Sequence, residues 1–349
     1  MTMRKTRTVK IGKVTIGGGN IPAVQSMLNT PSSYAAACVE QALKLEEAGC
    51  DIIRVAVPDM NCVKTVAALK ENVGVPIVAD IHFDYRLALE SAAAGVDKIR
   101  INPGNIGSDD KVKLVADECK RRGIPIRVGV NSGSVEKEIL AKYGSPTPEA
   151  LVESALYHVS LLEKFDFEDI VISIKSSDVA KTVRAYELCS EATDHPLHVG
   201  VTEAGTERMG LIKSSMGIGS LLLHGIGDTI RVSLTADPVK EVYAGIDILR
   251  AAGLRKDGVR LVSCPTCGRT KIDLIGLAGK VEEKLRSVNK DITVAVMGCV
   301  VNGPGEAREA DVGIAGGDGC GVIFRKGEII RKVPEDSLCD ELMSEIEKL

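Results

Sequence analysis

The chain has 349 residues, of which 44% are hydrophobic, enough for one large domain and a smaller one with a substantial buried core. Aromatics make up only 3% and Trp is absent, so the core must be Val, Ile, Leu and Ala, as in buried parallel strands flanked by helices. A formal net charge of −4 argues against a nucleic-acid partner, and no run approaches the ~20 apolar residues of a membrane span.

The basic opening MTMRKTRTVKIG leads into no apolar secretory segment, so the chain reads as soluble and cytoplasmic. Residues 8–19, TVKIGKVTIGGG, read as a β-hairpin that plugs the floor of a barrel. Eight short apolar runs follow as strand candidates: Val24–Leu28, Ile52–Val57, Pro76–Ile81, Lys98–Asn102, Ile126–Asn131, Ile170–Lys175, His198–Glu203 and Thr229–Thr235. Helical stretches such as AAACVEQALKLEEAG, DDKVKLVADECKRRG and DVAKTVRAYELCSEA lie between them, and several end in Gly. This is an α/β pattern, and eight βα units predict a closed (β/α)8 TIM barrel over residues 1–254, with PVKEVYAGIDILRAAG as the eighth helix. A doubly wound open sheet is the competitor, but it usually has fewer strands and a Gly-rich phosphate loop after the first.

Residues 255–349 form a separate, small α/β segment. It contains strand RLVSC, helix IDLIGLAGKVEEKLRSV, strand ITVAVMGC, a Gly-rich loop, a hairpin around Lys326–Gly327 and a charged terminal helix. Of the ten cysteines, Cys38, Cys50, Cys62, Cys119 and Cys189 stand singly and read as packing thiols rather than disulfides.

Side chains at i, i+2 and i+4 of a strand share one face, so Lys98, Arg100 and Asn102 point together. The same holds for Arg127 with Asn131, Ser173 with Lys175, and Arg231 with Ser233. Arg54 sits mid-strand, and Asp80 and His82 end the third strand. In a barrel these face the lumen near its C-terminal mouth, where barrel enzymes carry their chemistry. Five cations from five strands (Arg54, Arg100, Arg127, Lys175 and Arg231) repel one another, and Asp80 and Glu203 cannot neutralise them. Some could pair with loop carboxylates; for the whole set, an anion carrying two phosphates is the simpler partner, because guanidinium forks match phosphate oxygens.

The second segment holds Cys264-Pro-Thr-Cys267 and, after another strand, Cys299, followed by the NGPGE turn that ends in Glu306. A C-x2-C pair alone is ambiguous between zinc, a redox dithiol and a cluster. Zinc normally takes four Cys or His ligands, and no His lies beyond residue 224. Three thiolates with one carboxylate suit a [4Fe–4S] cluster with one distinctive iron. A zinc knuckle completed by Cys320 is the alternative, giving a zinc-stapled barrel that binds a phosphate ligand without redox activity.

The motifs CPTCGR and MGCVVNGPGE, preceded by VADIHFDYRLA, KIRINPGNIG, RVGVNSGS, VISIKSSD and GDTIRVSLT, closely resemble the 4-hydroxy-3-methylbut-2-enyl diphosphate synthase family in order over nearly the whole chain. The resemblance implies reductive dehydration and ring opening of 2-C-methyl-D-erythritol 2,4-cyclodiphosphate in the non-mevalonate isoprenoid pathway, fed by reduced flavodoxin or ferredoxin. It implies that Cys264, Cys267, Cys299 and Glu306 ligate a [4Fe–4S] cluster. It also implies that Arg54, Arg100, Asn102, Arg127, Asn131, Lys175, Arg231 and Ser233 hold the diphosphate, with His82, Asp80 and Glu203 as candidate proton donors. The chain has no room for the extra middle domain of plant-type members. A short linker after the eighth helix, at the barrel's bottom, adds the expectation of a head-to-tail homodimer in which each cluster caps the partner's barrel.

Overall fold

The structure, a computed structural model, describes residues 2–286, 288–299, 305 and 307–349. The chain divides into two compact units, Met1–Arg255 and Lys256–Leu349. The first begins with a hairpin of β1 (Val9–Ile11) and β2 (Val14–Ile16). Strands and helices then alternate: β3 (Ala23–Met27), α1 (Ala35–Glu47), β4 (Ile52–Ala56), α2 (Met60–Asn72), β5 (Ile77–Asp80), α3 (Tyr85–Ala93) and β6 (Lys98–Ile101). Next come α4 (Pro103–Ile106), α5 (Asp109–Arg122), β7 (Ile126–Asn131), α6 (Lys137–Tyr143), α7 (Pro148–Glu163), β8 (Ile170–Lys175) and α8 (Val179–Ala192). The unit finishes with β9 (His198–Val199), α9 (Glu207–Leu223), β10 (Thr229–Ile230) and α10 (Pro238–Ala251).

Strands β3 to β10 form one eight-stranded parallel sheet in the order β8-β7-β6-β5-β4-β3-β10-β9. A bridge between Ile172 and Leu197 joins its two edges and closes the barrel. Alternation decides which side chains go where. Ile53, Val55, Ile99, Ile101, Val128 and Ile172 pack outward against the helices in the main core. Val9, Ile11 and Ile16 of the hairpin pack on Ala23, Ile52, Val78 and Val171, so the barrel floor is sealed with hydrocarbon.

Several helices start where a side chain replaces missing backbone partners. Asp59 accepts from the amides of Asn61 and Cys62, Thr147 from Ala150, and Asp237 from Val239. Pro148 and Pro238 occupy the first turns of α7 and α10, where no amide hydrogen is needed. Strands seven and eight are shorter than their apolar runs predict. Beyond Val199 and Ile230 the ladder bonds give way to others: the Thr202 amide donates to Ser176 and the Leu234 amide to the Glu241 carboxylate.

The second unit is a five-stranded sheet in the order β11 (Arg260–Ser263), β12 (Thr293–Met297), β13 (Val312–Gly316), β14 (Cys320–Arg325) and β15 (Glu328–Pro334). The first three strands are parallel and the last two turn back antiparallel. Helices α11 (Leu274–Leu285) and α12 (Leu338–Glu347) pack on it through Leu274, Val281, Leu338, Leu342 and Ile346. Strand β13 lies in the middle of the sheet yet is not legible in the sequence, because its two glycines dilute the β signal. Among the described residues no helix is long and apolar enough to cross a membrane. The five singly placed cysteines from Cys38 to Cys189 are all buried free thiols.

Candidate active site

Above the apolar floor the barrel lumen is strongly cationic. Arg54, Lys98, Arg100 and Arg127 are buried, while Lys175 and Arg231 are half-buried. Among the described residues, only two buried carboxylates, Asp80 and Glu241, pair with any of them. Asp80 is the hub: Arg54 Nη2 lies 3.5 Å from Oδ2 and Arg100 Nη1 3.3 Å from Oδ1. Burial would push this carboxyl upward, but Arg54, Arg100, His82 and Lys175 overcome it and hold it well below the usual range. Arg100 also donates to the Gly129 carbonyl at 3.0 Å, and any side chain at Gly129 would overlap its guanidinium. Arg54 Nε lies 3.1 Å from Met27 Sδ.

Arg127 differs from its neighbours. It has no exposed surface, and none of its three guanidinium nitrogens finds a partner among the described residues. Lys98 Nζ and both polar atoms of the Gln25 amide are likewise buried without partners. Burial and the surrounding positive charge push Lys98, Arg127 and His198 well below their ordinary values. Burial, with Arg54, Arg100 and Arg127, pulls Lys175 down to about 6, and burial with Arg54 brings Arg231 to about 10. Such a lumen is poised to receive negative charge. Arg54, Ser173, Lys175, His198, Arg231 and Ser233 line one small pocket of this lumen.

The mouth loops place the other sequence candidates. Asn102 donates from Nδ2 to Ser134 Oγ at 3.3 Å and accepts from the Gly104 amide. The Asn131 amide donates to Ser134 Oγ at 3.2 Å, and Ser233 lines the small pocket. His82 is half exposed, with Nε2 3.8 Å from Asp80 Oδ2. Glu203 is exposed on a loop with φ 51°, and it forms no ion pair with the cationic ring among the described residues. Two groups escaped the sequence reading. Glu241 sits on α10, where it accepts from Ser26 Oγ and lies 3.7 Å from Arg231, and an amphipathic helix gives no hint of that. Lys98 shares the inward face with Arg100 and was legible by the same alternation, though not counted among the ring.

In the second unit, Cys264 follows β11 and Cys299 lies two residues past β12, its parallel neighbour. The Gly298 amide, adjacent to Cys299, donates to Cys264 Sγ at 3.1 Å. The loop carrying Cys267 folds over the same edge, since the Lys271 amide donates to the Gly298 carbonyl. Hydrogen bonds from the Arg269 backbone hold the exposed Cys267 thiol below its ordinary range. Soft sulfur donors met by backbone amides fit an iron–sulfur cluster in kind. Among the described residues no group of three His, Cys, Asp or Glu stands close enough to hold a metal ion, and Glu306 lies outside the described residues.

Comparison with known proteins extends this reading over the whole chain. Residues 6–246 match the GcpE TIM-barrel domain and residues 260–348 the GcpE protein C-terminal domain. A protein of Caldanaerobacter subterraneus subsp. tengcongensis is 61% identical over 348 residues, covering 99% of this chain and 98% of that relative. One from Clostridium perfringens is 58% identical over 349 residues, covering 100% of both. Both are named 4-hydroxy-3-methylbut-2-en-1-yl diphosphate synthase (flavodoxin). Among solved structures, dihydropteroate synthase from Yersinia pestis superposes with a TM-score of 0.52 at 16% identity, covering 70% of this chain and 98% of that one. That likeness concerns the barrel fold alone. With both of its units matched and such relatives aligned end to end, the chain belongs to the GcpE family of 4-hydroxy-3-methylbut-2-en-1-yl diphosphate synthases.

Proposed function

We propose that the chain opens the ring of 2-C-methyl-D-erythritol 2,4-cyclodiphosphate by reductive dehydration, giving 4-hydroxy-3-methylbut-2-enyl diphosphate for isoprenoid synthesis in the cytoplasm. The electron donor is reduced flavodoxin, the donor named for its relatives. The carrying observation is the buried, partnerless guanidinium of Arg127 among the other lumen cations. A buried cation without a counter-charge costs several kcal/mol, on the order of the usual desolvation penalties, unless an anion completes it. A diphosphate at the mouth supplies that charge, with Arg54, Arg100, Arg127, Lys175 and Arg231 around it and Asn102, Asn131 and Ser233 at its edges.

Asp80 holds Arg54 and Arg100 apart from one another and aims them, so the diphosphate meets a fixed array rather than one it must organise. Lys175, close to neutral in the empty lumen, takes up a proton as the anion arrives. His82, half in solvent beside Asp80, can pass a proton to an oxygen leaving at the mouth. Glu203, on its exposed loop, serves that role only if substrate reaches it. In the second unit Cys264, Cys267, Cys299 and Glu306 would hold a [4Fe–4S] cluster. That group supplies two electrons one at a time and an iron able to accept oxygen. A head-to-tail homodimer, each second unit serving the partner's barrel, fits a linker that starts at the bottom of its own barrel after α10.

Anaerobic purification with absorption and EPR spectra, an iron and sulfide count, and a turnover assay with reduced flavodoxin tests the reading. About four irons and four sulfides per chain with product formed is the expected result. A colourless protein with about one zinc per chain and no turnover would refute it.

A further inference from the structure

Behind the mouth, on the outer side of the barrel, lies a histidine that no sequence motif singles out. His158 is in the middle of α7 and has no exposed surface. Its Nε2 stands 2.5 Å from Glu136 Oε1. Glu136 immediately precedes α6, at the end of the loop that begins with Asn131 after β7. The same edge of the imidazole also meets the loop after β6. A Cβ built on Gly104 would stand 2.7 Å from His158 Cε1 and 3.4 Å from its Nε2, closer than side chains pack. The ring thus touches both loops at once, and only a glycine fits where it meets the first.

These loops carry Asn102 and Asn131, and at the mouth the Asn102 side chain already reaches Ser134 of the second loop. Two ties therefore join them: a hydrogen bond on the substrate side, and the imidazole with its carboxylate on the helix side. The barrel strands fix where each loop begins, but neither loop carries a ladder bond to the other beyond Asn131. A helix-borne clamp is what holds the relative height of two such loops. A burial cost for both imidazole and carboxylate is tolerable only if they are kept together.

We propose that His158 and Glu136 form a positioning pair that sets the spacing of the Asn102 and Asn131 loops and so the affinity of the mouth for its diphosphate. The inference rests on the substrate-binding reading of those loops. The pair touches no reacting atom, so its loss acts on binding more than on the chemical step.

Four variants test it in the reconstituted, dimer-competent full chain: His158→Gln, Glu136→Gln, Gly104→Ala, and Gly104→Ala combined with His158→Ala. KM for the cyclodiphosphate should rise about tenfold in the first three, equal to about 1.4 kcal/mol, with kcat within about twofold of wild type. The double variant should lose no more affinity than His158→Gln alone, because with the imidazole gone the methyl group has nothing to displace. Wild-type KM in both His158→Gln and Glu136→Gln, or losses that simply add in the double variant, overturns the proposal. Should His158→Gln fail to fold, Glu136→Gln and the Gly104 pair decide alone. A wild-type protein without turnover would instead overturn the reading of the function itself, so the two failures are told apart.

Discussion

The two units place their chemistry in opposite ways. In the barrel the key side chains stand on strands, so hydrogen-bonded ladders fix their directions and burial fixes their surroundings. In the second unit the cysteines sit just past strand ends, on loops, with Cys267 exposed and Cys264 and Cys299 half-buried. The lumen is preorganised at the expense of stability, since like charges are held together before any ligand arrives. The thiol edge is built from loop residues, where a bound metal group would add to stability, as it does for small thiolate domains. One site waits with stored repulsion, while the other waits for its own keystone.

The sharpest way to break that contrast is at the thiol edge. Cys299→Ser should abolish the visible iron–sulfur absorption and turnover while leaving a folded barrel, checked by anaerobic spectra and circular dichroism. Mixing that variant with an Arg100→Met variant, each inactive alone, should restore activity if the second unit serves its partner's barrel. Under random exchange the gain reaches at most about a quarter of wild type. Glu306→Ala should keep a cluster yet depress turnover, and wild-type turnover there would end the proposal that this carboxylate takes part in the site.

The lumen should respond in the reverse sense. Arg127→Met should weaken substrate binding by about 1.5–3 kcal/mol, the range for a lost charged hydrogen bond. It should also raise the melting temperature of the ligand-free protein by several degrees, because it removes an uncompensated charge. A lower melting temperature would show that Arg127 has a structural partner after all. A smaller effect concerns protons. Lys175 holds fewer protons folded than unfolded between about pH 6 and its ordinary range, so its share of stability grows as pH rises through that window and is lost as pH falls toward 6. Diphosphate binding at pH 7.5 should then take up to about one proton per chain, and Lys175→Met should remove that uptake in calorimetry run in two buffers.

Much of the barrel was legible because strand alternation is a strong code. KIRIN, RVGVN and VISIK each set an outward apolar series against an inward one, and the structure keeps that alternation, with Val171 of the inward series joining the apolar floor. The thiol motif stands out by its spacing, but spacing alone leaves zinc, a redox dithiol and a cluster open. What escaped lies where no periodicity speaks. Glu241 and His158 belong to helices whose patterns are dominated by apolar packing, and their meaning comes only from what the barrel brings beside them. Glu203 reads as a partner of the cations in the sequence, yet the chain turns at that residue and leaves it exposed. Strand β13 was hidden by its glycines.

The hydrocarbon seal between the N-terminal hairpin and the lower strands has a kinetic side. It makes the lumen a blind alley with one doorway. Substrate, product and displaced water all have to share the mouth, so an enzyme built this way cannot run on a through-flow.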